Sequence, residues 1–404
     1  MKLPKSWMML WFSLQPHVTE ARNQFELSPT STSSAPPYRE SLLSLHKSLV
    51  DFNSTSGSEA EVGQFLIDYL IEHGFVAENQ TLPTSDPNTP RFNVVAWPES
   101  RNSTSSKVVV TSHIDTVPPY IPYSRTGPDP PTAETVIAGR GTVDAKGSVA
   151  TQVIAVLELL ASGAITSDDV MLAYVVGEES AGDGMMYFSN ITAQQPVPPK
   201  AAVFGEPTEG LLACGHKGAL ICVITANGVS GHSGYPWLFK SATEVLMRGL
   251  IKTIDTDLGT SERYGNTTVN VGLLSGGIAA NVVPDSATAT VVGRVGIGPE
   301  TGGSDIVKDR MLDVLTSVDD EAFDFECSDR TYGAIECNCD VDGFETTVVN
   351  YGTDIPSFKG NHTRYLYGPG SILVAHGANE ALTLGDLEAA VEDYKRLILH
   401  AVET

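Results

Sequence analysis

Residues 107–115 read Lys-Val-Val-Val-Thr-Ser-His113-Ile-Asp115. A β-branched run like this predicts a strand buried on both faces, because a solvated face would place a polar residue at every second position. Its end changes character: His113 and Asp115 are two residues apart and so share one side of an extended chain. The device recurs. Val170–Val176 runs into Gly177-Glu178-Glu179, Ala201-Ala-Val-Phe into Gly205-Glu206, and Ile372-Leu-Val-Ala into His376, so four strand-like runs each end in a nitrogen or oxygen donor. Between the first two lies a glycine-rich turn, Gly139-Arg-Gly-Thr-Val-Asp144-Ala-Lys, feeding an apolar helix expected over Gly147–Leu160. Strand alternating with helix predicts an α/β fold, an α/β/α arrangement around a mostly parallel sheet, with reactive residues where strands run out into loops.

Outward from this centre, helical periodicity over Leu42–Phe52 and Glu59–His73 precedes a strand at Asn93–Trp97. From Ala219 the rhythm changes. A strand to Ala226, a helix at Lys240–Thr253, strands at Thr267–Leu274 and Ala287–Val295, a helix at Asp305–Val318 and a strand near Phe323 make a β-α-β-β-α-β series. That is the pattern of a self-contained ferredoxin-like unit, expected as an inserted domain. A chain of 404 residues exceeds the size of one core, so two domains are expected. The division is a catalytic domain in two parts, 38–218 and 331–404, around an insertion at 219–330.

The N-terminus carries Lys2 and Lys5, the apolar run Trp7–Leu14 and then Thr19-Glu20-Ala21, which predicts a signal peptide over 1–21. A Ser/Thr/Pro-rich lead over 22–37 is expected to be disordered. No later segment approaches the ~20 apolar residues of a membrane span. Six glycosylation sequons, at Asn53, Asn79, Asn102, Asn190, Asn266 and Asn361, fit a secreted, extracellular glycoprotein. A formal charge of −24 opposes nucleic-acid backbones and anionic lipid, so neither is expected as a partner. Five cysteines are too few for a disulfide scaffold; Cys327 with Cys337 or Cys339 is one pairing that would close a short loop.

Each donor has a bland alternative when taken alone. His113 with Asp115 fits a satisfied structural pair, or a metal ligand whose other N–H is held by a carboxylate. Asp144 fits a helix N-cap, or a carboxylate bridging two cations. Glu178 and Glu179 fit solvated acids, or a division in which one binds metal and the other holds a proton. Together, two histidines and three carboxylates form the mixed donor set that suits Zn²⁺, Co²⁺ or Mn²⁺. A pair of such ions polarises a carbonyl and activates water, which is hydrolytic chemistry. A phosphate-binding loop is excluded because Ala145 precedes Lys146, and a serine nucleophile elbow because Gly228-Val-Ser230-Gly ends in His232.

The motifs Ser112-His-Ile-Asp-Thr-Val-Pro118, Gly141-Thr-Val-Asp-Ala-Lys-Gly147, Gly177-Glu-Glu-Ser180, Gly205-Glu-Pro-Thr208 and His376 resemble those of the two-zinc aminoacylase and carboxypeptidase metallopeptidases, which include glutamate carboxypeptidase, acetylornithine deacetylase and succinyl-diaminopimelate desuccinylase. Within that family the chain looks most like exported fungal members described as probable carboxypeptidases. The resemblance implies two zinc ions per subunit, one on His113, Asp144 and Glu206, the other on Asp144, Glu179 and His376. It implies that Asp115 orients His113 and that Glu178 is the general base. It also implies a lid domain used for homodimer contacts, with His232 stabilising an oxyanion and Asn281 and Arg294 holding the substrate carboxylate. For His232 a surface loop position, and for Arg294 a salt bridge, are the plainer alternatives. The Gly368-Pro-Gly370 turn is expected to shape the substrate pocket. The substrate implied is a small peptide, or an N-acyl amino acid for an aminoacylase of the same mechanism. A silent binding protein on the same fold is the reading outside enzymes.

Overall fold

The computed structural model describes residues 35–83, 89–100 and 106–404, of which Pro37–Thr404 form one unit. The expected signal peptide, most of the expected lead and Asn102 lie outside the described residues.

Two helices open the unit, α1 at Arg39–Asp51 and α2 at Ala60–Glu72. The strands of the central sheet are β1 (Phe75–Thr81), β2 (Phe92–Pro98), β3 (Val108–His113), β4 (Val170–Val175), β5 (Ala201–Gly205) and β6 (Leu212–His216), joined later in the chain by others. The helix α3 (Lys146–Ser162) comes after the glycine-rich turn, and α4 (Asp183–Thr192) after β4. Neighbours run β1-β2-β4-β3-β5, then the strand Thr363–Tyr367, then β6. The four central members, β4, β3, β5 and Thr363–Tyr367, are mutually parallel, whereas β1 and β2 join antiparallel on one side and β6 on the other. The sheet is therefore mixed, and the expected mostly parallel sheet corresponds to its centre. β1 escaped the sequence pattern because an edge strand reading Phe-Val-Ala-Glu-Asn-Gln-Thr carries too few buried positions.

Both faces of the centre are covered, which is why its strands read as unbroken apolar runs. Val108 and Val110 pack toward α1, α2, α3 and the C-terminal helix Leu384–Glu403, while Val109 packs with Phe188 of α4 and with Phe358. α3 is buried around most of its circumference, as a helix held between a sheet and other helices must be. The C-terminal helix is capped reciprocally by Thr383 and Asp386 and presents Leu387, Val391, Tyr394 and Ile398 at helical spacing.

One expected strand is absent. Ile372–Ala375 folds as tight turns, with Ala375 N–H donating to Ile372 C=O and Gly377 N–H to Val374 C=O. The place in the sheet is taken by Thr363–Tyr367; past Gly370, whose φ is +78°, the chain makes a single antiparallel bridge from Ser371 to Thr208 and then enters the turns.

A second sheet is built from the inserted segment. β7 (Gly218–Asn227), β8 (Thr268–Gly276), β9 (Ser286–Val295) and β10 (Phe323–Cys327) form four antiparallel strands in the order β8-β9-β7-β10. Helices α5 (Ala242–Asp255) and α6 (Gly303–Thr316) pack on one face around Leu220, Cys222, Ile224, Leu246, Val291 and Met311. On the other face Ile221 and Val223 are exposed. Disulfides join Cys222 to Cys327 and Cys214 to Cys339, leaving Cys337 free and buried. The short-loop pairing considered from sequence is thus replaced by bonds between distant segments; Cys222 and Cys327 lie directly opposite in the β7–β10 register. Among the described residues no helix is long and apolar enough to cross a membrane.

Candidate metal centre and cleft

The parallel strands β4, β3 and β5 are neighbours and end on the same edge of the sheet, so the residues just beyond their ends converge. His113 closes β3, Glu178 and Glu179 come after β4, and Glu206 after β5. Asp144 enters from the turn before α3, and His376 from the loop after Thr363–Tyr367.

Asp144 stands at the centre. Its Oδ1 lies 3.1 Å from His113 Nε2 and its Oδ2 3.1 Å from His376 Nε2. It makes no helix cap: the N-cap of α3 is Ala145, without a side-chain cap bond. On one side His113 Nε2 is 3.8 Å from Glu206 Oε2; on the other His376 Nε2 is 3.0 Å from Glu179 Oε2. Ligand atoms of His113, Asp144 and Glu179 lie within 4.8 Å of one another, as do those of His113, Glu178 and Glu206. Both triads share His113, and the two adjacent glutamates differ in their other partners, Glu178 lying with Glu206 and Glu179 with Asp144 and His376.

Asp115 is buried beneath them. Its Oδ1 accepts the Glu178 N–H at 3.1 Å, and its Oδ2 accepts the Glu179 N–H at 3.2 Å and the Ser56 hydroxyl at 2.7 Å. The His113 ring meets the residue twice, with Nδ1 3.0 Å from the Asp115 backbone oxygen and 3.6 Å from its carboxylate. Asp115 thus orients the ring and also pins the turn that carries both glutamates.

The electrostatics call for cations. Burial pushes the Glu178 and Glu206 carboxyls well above their usual range, and repulsion among the acids adds to it; Glu179 is raised for the same first reason. Burial would lower His113, but the facing carboxylates outweigh it and raise it well above 6.5. Hydrogen bonds to Asp144 and Glu179 raise His376 to about 10. Oxygen and imidazole donors crowded around one bridging carboxylate, with too little positive charge among them, fit a pair of divalent ions.

The cluster opens into a cleft of about 1130 Å³ whose far wall comes from the second sheet and its connections, including Ile221, Arg294, Arg330 and Tyr332. The Arg294 side chain is half-buried there and forms no ion pair or hydrogen bond with any described residue, so its guanidinium is free to meet an anion. His232 and Asn281 are not part of this cleft. They lie together on a two-stranded ribbon, Gly231–His232 against Val282–Val283, where Ser233 N–H donates to Asn281 C=O and both residues are exposed. Gly368 lies behind the site instead of shaping the pocket: a Cβ there would meet the Glu206 carbonyl oxygen at 2.4 Å. Asn53, Asn79, Asn190, Asn266 and Asn361 are all exposed, and Asn190 lies on the cleft rim.

Three groups escaped the sequence reading. Tyr351 and Asp354 line the cleft, and burial pushes Asp354 up to about 7. Glu380 is fully buried against Arg140 and the Asp144 turn. Its only local signal is its place four residues after His376.

Residues 109–400 match the model of peptidase family M20/M25/M40. A peptidase M20 domain-containing protein of Sordaria macrospora is 53% identical over 391 residues, covering 91% of this chain and 86% of its own. A protein of Aspergillus fumigatus named a probable carboxypeptidase is 44% identical over 388 residues, covering 90% and 87%. Among solved structures, a tripeptidase from Staphylococcus aureus shares the fold with a TM-score of 0.73 at 20% identity, over 91% of this chain and 99% of that one.

Proposed function

The chain belongs to peptidase family M20/M25/M40, and on that premise we propose that it is a secreted carboxypeptidase with two zinc ions, cleaving the amide bond next to a free carboxylate in small peptides. The observation that carries the reading is Asp144 offering one oxygen toward His113 and the other toward His376, beside the half-buried Glu178 and opposite the unpaired Arg294 side chain. His113, Asp144 and Glu206 would hold one ion, and Asp144, Glu179 and His376 the other. Bound there, such ions supply Lewis acidity and lower the pKa of water.

The chain's own groups do the rest. Glu178, with its carboxyl raised by burial, takes a proton from the attacking water and later delivers it to the leaving nitrogen. Asp115 holds Glu178 through its backbone N–H, so that proton carrier keeps its place. Arg294 pairs with the substrate carboxylate and aligns the scissile bond. A homodimer through the second sheet is part of the proposal: the edge strand β8 exposes Leu273 and Leu274, and α5 exposes Met247, Ile251 and Ile254. Two copies joined there would place a partner's His232 and Asn281, exposed on this chain, at the neighbouring cleft.

The test compares release of free C-terminal residues from dipeptides with hydrolysis of N-acetyl amino acids, alongside metal content by mass spectrometry. Peptide cleavage with about two zinc ions per chain is expected. Preference for N-acetyl amino acids would make the enzyme an aminoacylase, and a metal-free, inactive protein would leave only a binding role. Endoglycosidase treatment of protein from its native host tests secretion and glycosylation: faster migration on a gel is expected, and unchanged mobility contradicts them.

A further inference from the structure

Glu380 is 1% exposed, and its side chain gathers donors from a whole turn of backbone. Its Oε1 accepts three N–H groups, from Gly141 at 2.9 Å, Val143 at 3.0 Å and Asp144 at 3.2 Å. Its Oε2 accepts Arg140 Nη1 at 2.6 Å, and its backbone oxygen accepts the Gly139 N–H at 3.1 Å. Arg140, 2% exposed, turns its other nitrogen, Nη2, to the His376 carbonyl oxygen at 3.3 Å. One buried ion pair therefore touches both the turn that carries Asp144 and the loop that carries His376, which come from distant parts of the chain.

Neither segment has regular structure to hold it. The Asp144 turn depends on Gly141 at φ +86°, and His376 itself has φ +61°, an unusual backbone for a residue with a side chain. A buried ion pair adds little to stability by itself, since desolvation offsets attraction, but one that is fully hydrogen-bonded fixes a unique geometry. We propose that Glu380 and Arg140 are positioning residues: they clamp the Asp144 turn to the His376 loop and so set the spacing of the Asp144–Glu179–His376 half of the site. The His113–Glu206 half leans on the clamp only through the shared Asp144, because His113 and Glu206 are delivered by neighbouring parallel strands. The inference rests on the metallopeptidase reading.

The experiment measures zinc stoichiometry and affinity by chelator competition on folded protein, with fold checked by circular dichroism, and determines kcat and KM separately. Partners that orient metal ligands typically contribute 10–100-fold to affinity. Glu380→Gln is expected to weaken the Asp144–Glu179–His376 ion by about that factor and the other ion, which shares Asp144, by less, to lower kcat with little change in KM, and to regain rate in excess zinc. Glu388→Gln, which breaks an ion pair with Arg39 on the far helices, should leave both affinities unchanged. Equal affinities in Glu380→Gln and wild type, or an equal loss in Glu388→Gln, would overturn the clamp. Should Glu380→Gln not fold, Arg140→Lys keeps the charge but cannot span both acceptors, and wild-type affinity in that variant would overturn it equally. Wild-type protein that binds no metal would sink the metallopeptidase reading itself, and the clamp with it.

Discussion

The two histidines of the cluster are chemically identical and structurally opposite. His113 ends a buried strand, its side chain is 1% exposed, and Asp115 fixes its ring from two residues away. His376 sits on a turn, its side chain is 54% exposed, and what holds its backbone is the carbonyl bond from Arg140. The same division runs through the adjacent glutamates, Glu178 facing the His113 and Glu206 side and Glu179 facing His376. One half is built by secondary structure and the other by contacts between distant loops. A half delivered by strands should hold its ligand stiffly, whereas a half delivered by turns should yield first when anything nearby is disturbed.

The glutamates give the sharpest division. Glu178→Gln keeps size and hydrogen-bonding shape but removes the proton acceptor, so kcat should fall by roughly 10²–10⁴-fold with metal content intact. Glu179→Gln should lower metal content together with rate. Metal retained in Glu179→Gln and lost in Glu178→Gln would reverse the assignment of the two halves.

Histidine removal should give a smaller but equally divided result. His376→Ala is expected to leave one ion bound, whereas His113→Ala, at the buried junction between Asp144 and Glu206, should weaken both. Metal titrations with equal losses in the two variants would mean that the halves are not distinct.

The smallest expected effect is in protons. In the metal-free chain His376 is raised from 6.5 to about 10 by Asp144 and Glu179, so its stabilising pairing is fully present below pH 6.5 and is lost as pH rises through about 10. Asp144, held well below its usual 3.8 by His113 and His376 against the effect of burial, contributes above that value and loses its contribution in acid. Metal-free protein should therefore be steadiest, for this pair, between about pH 4 and 6.5, and zinc binding at pH 7 should release protons from both His376 and His113, each raised above 6.5. Calorimetry in buffers of different ionisation enthalpy measures that release; a release as large in His376→Ala as in wild type would place His376 outside the site.

Much of this was legible in the chain itself. The apolar runs at 108–113, 170–175 and 201–205 announced strands covered on both faces, and because parallel neighbours end on one edge, their terminal donors had to meet. The period change after residue 218 announced a second sheet with its own helices. The run before His376 misled, since four apolar residues look the same in a strand as in a tight turn, and the sheet position beside Ala201–Gly205 is filled by Thr363–Tyr367 instead. The partnership of Cys222 with Cys327 likewise depended on β7 and β10 lying in register.

Periodicity and chain direction are properties of neighbouring residues, so the sequence by itself determined most of the strands, the helices and the donors at their ends. Which way a turn faces depends on what packs against it. Only the tertiary structure decided that Asp144 would bridge the two histidines, that Arg294 would stand unpaired across the cleft while His232 and Asn281 would not, and that Glu380 would be buried beneath the site. A buried carboxylate is stable only when donors from several segments converge on it, and that convergence exists only once the distant segments have packed.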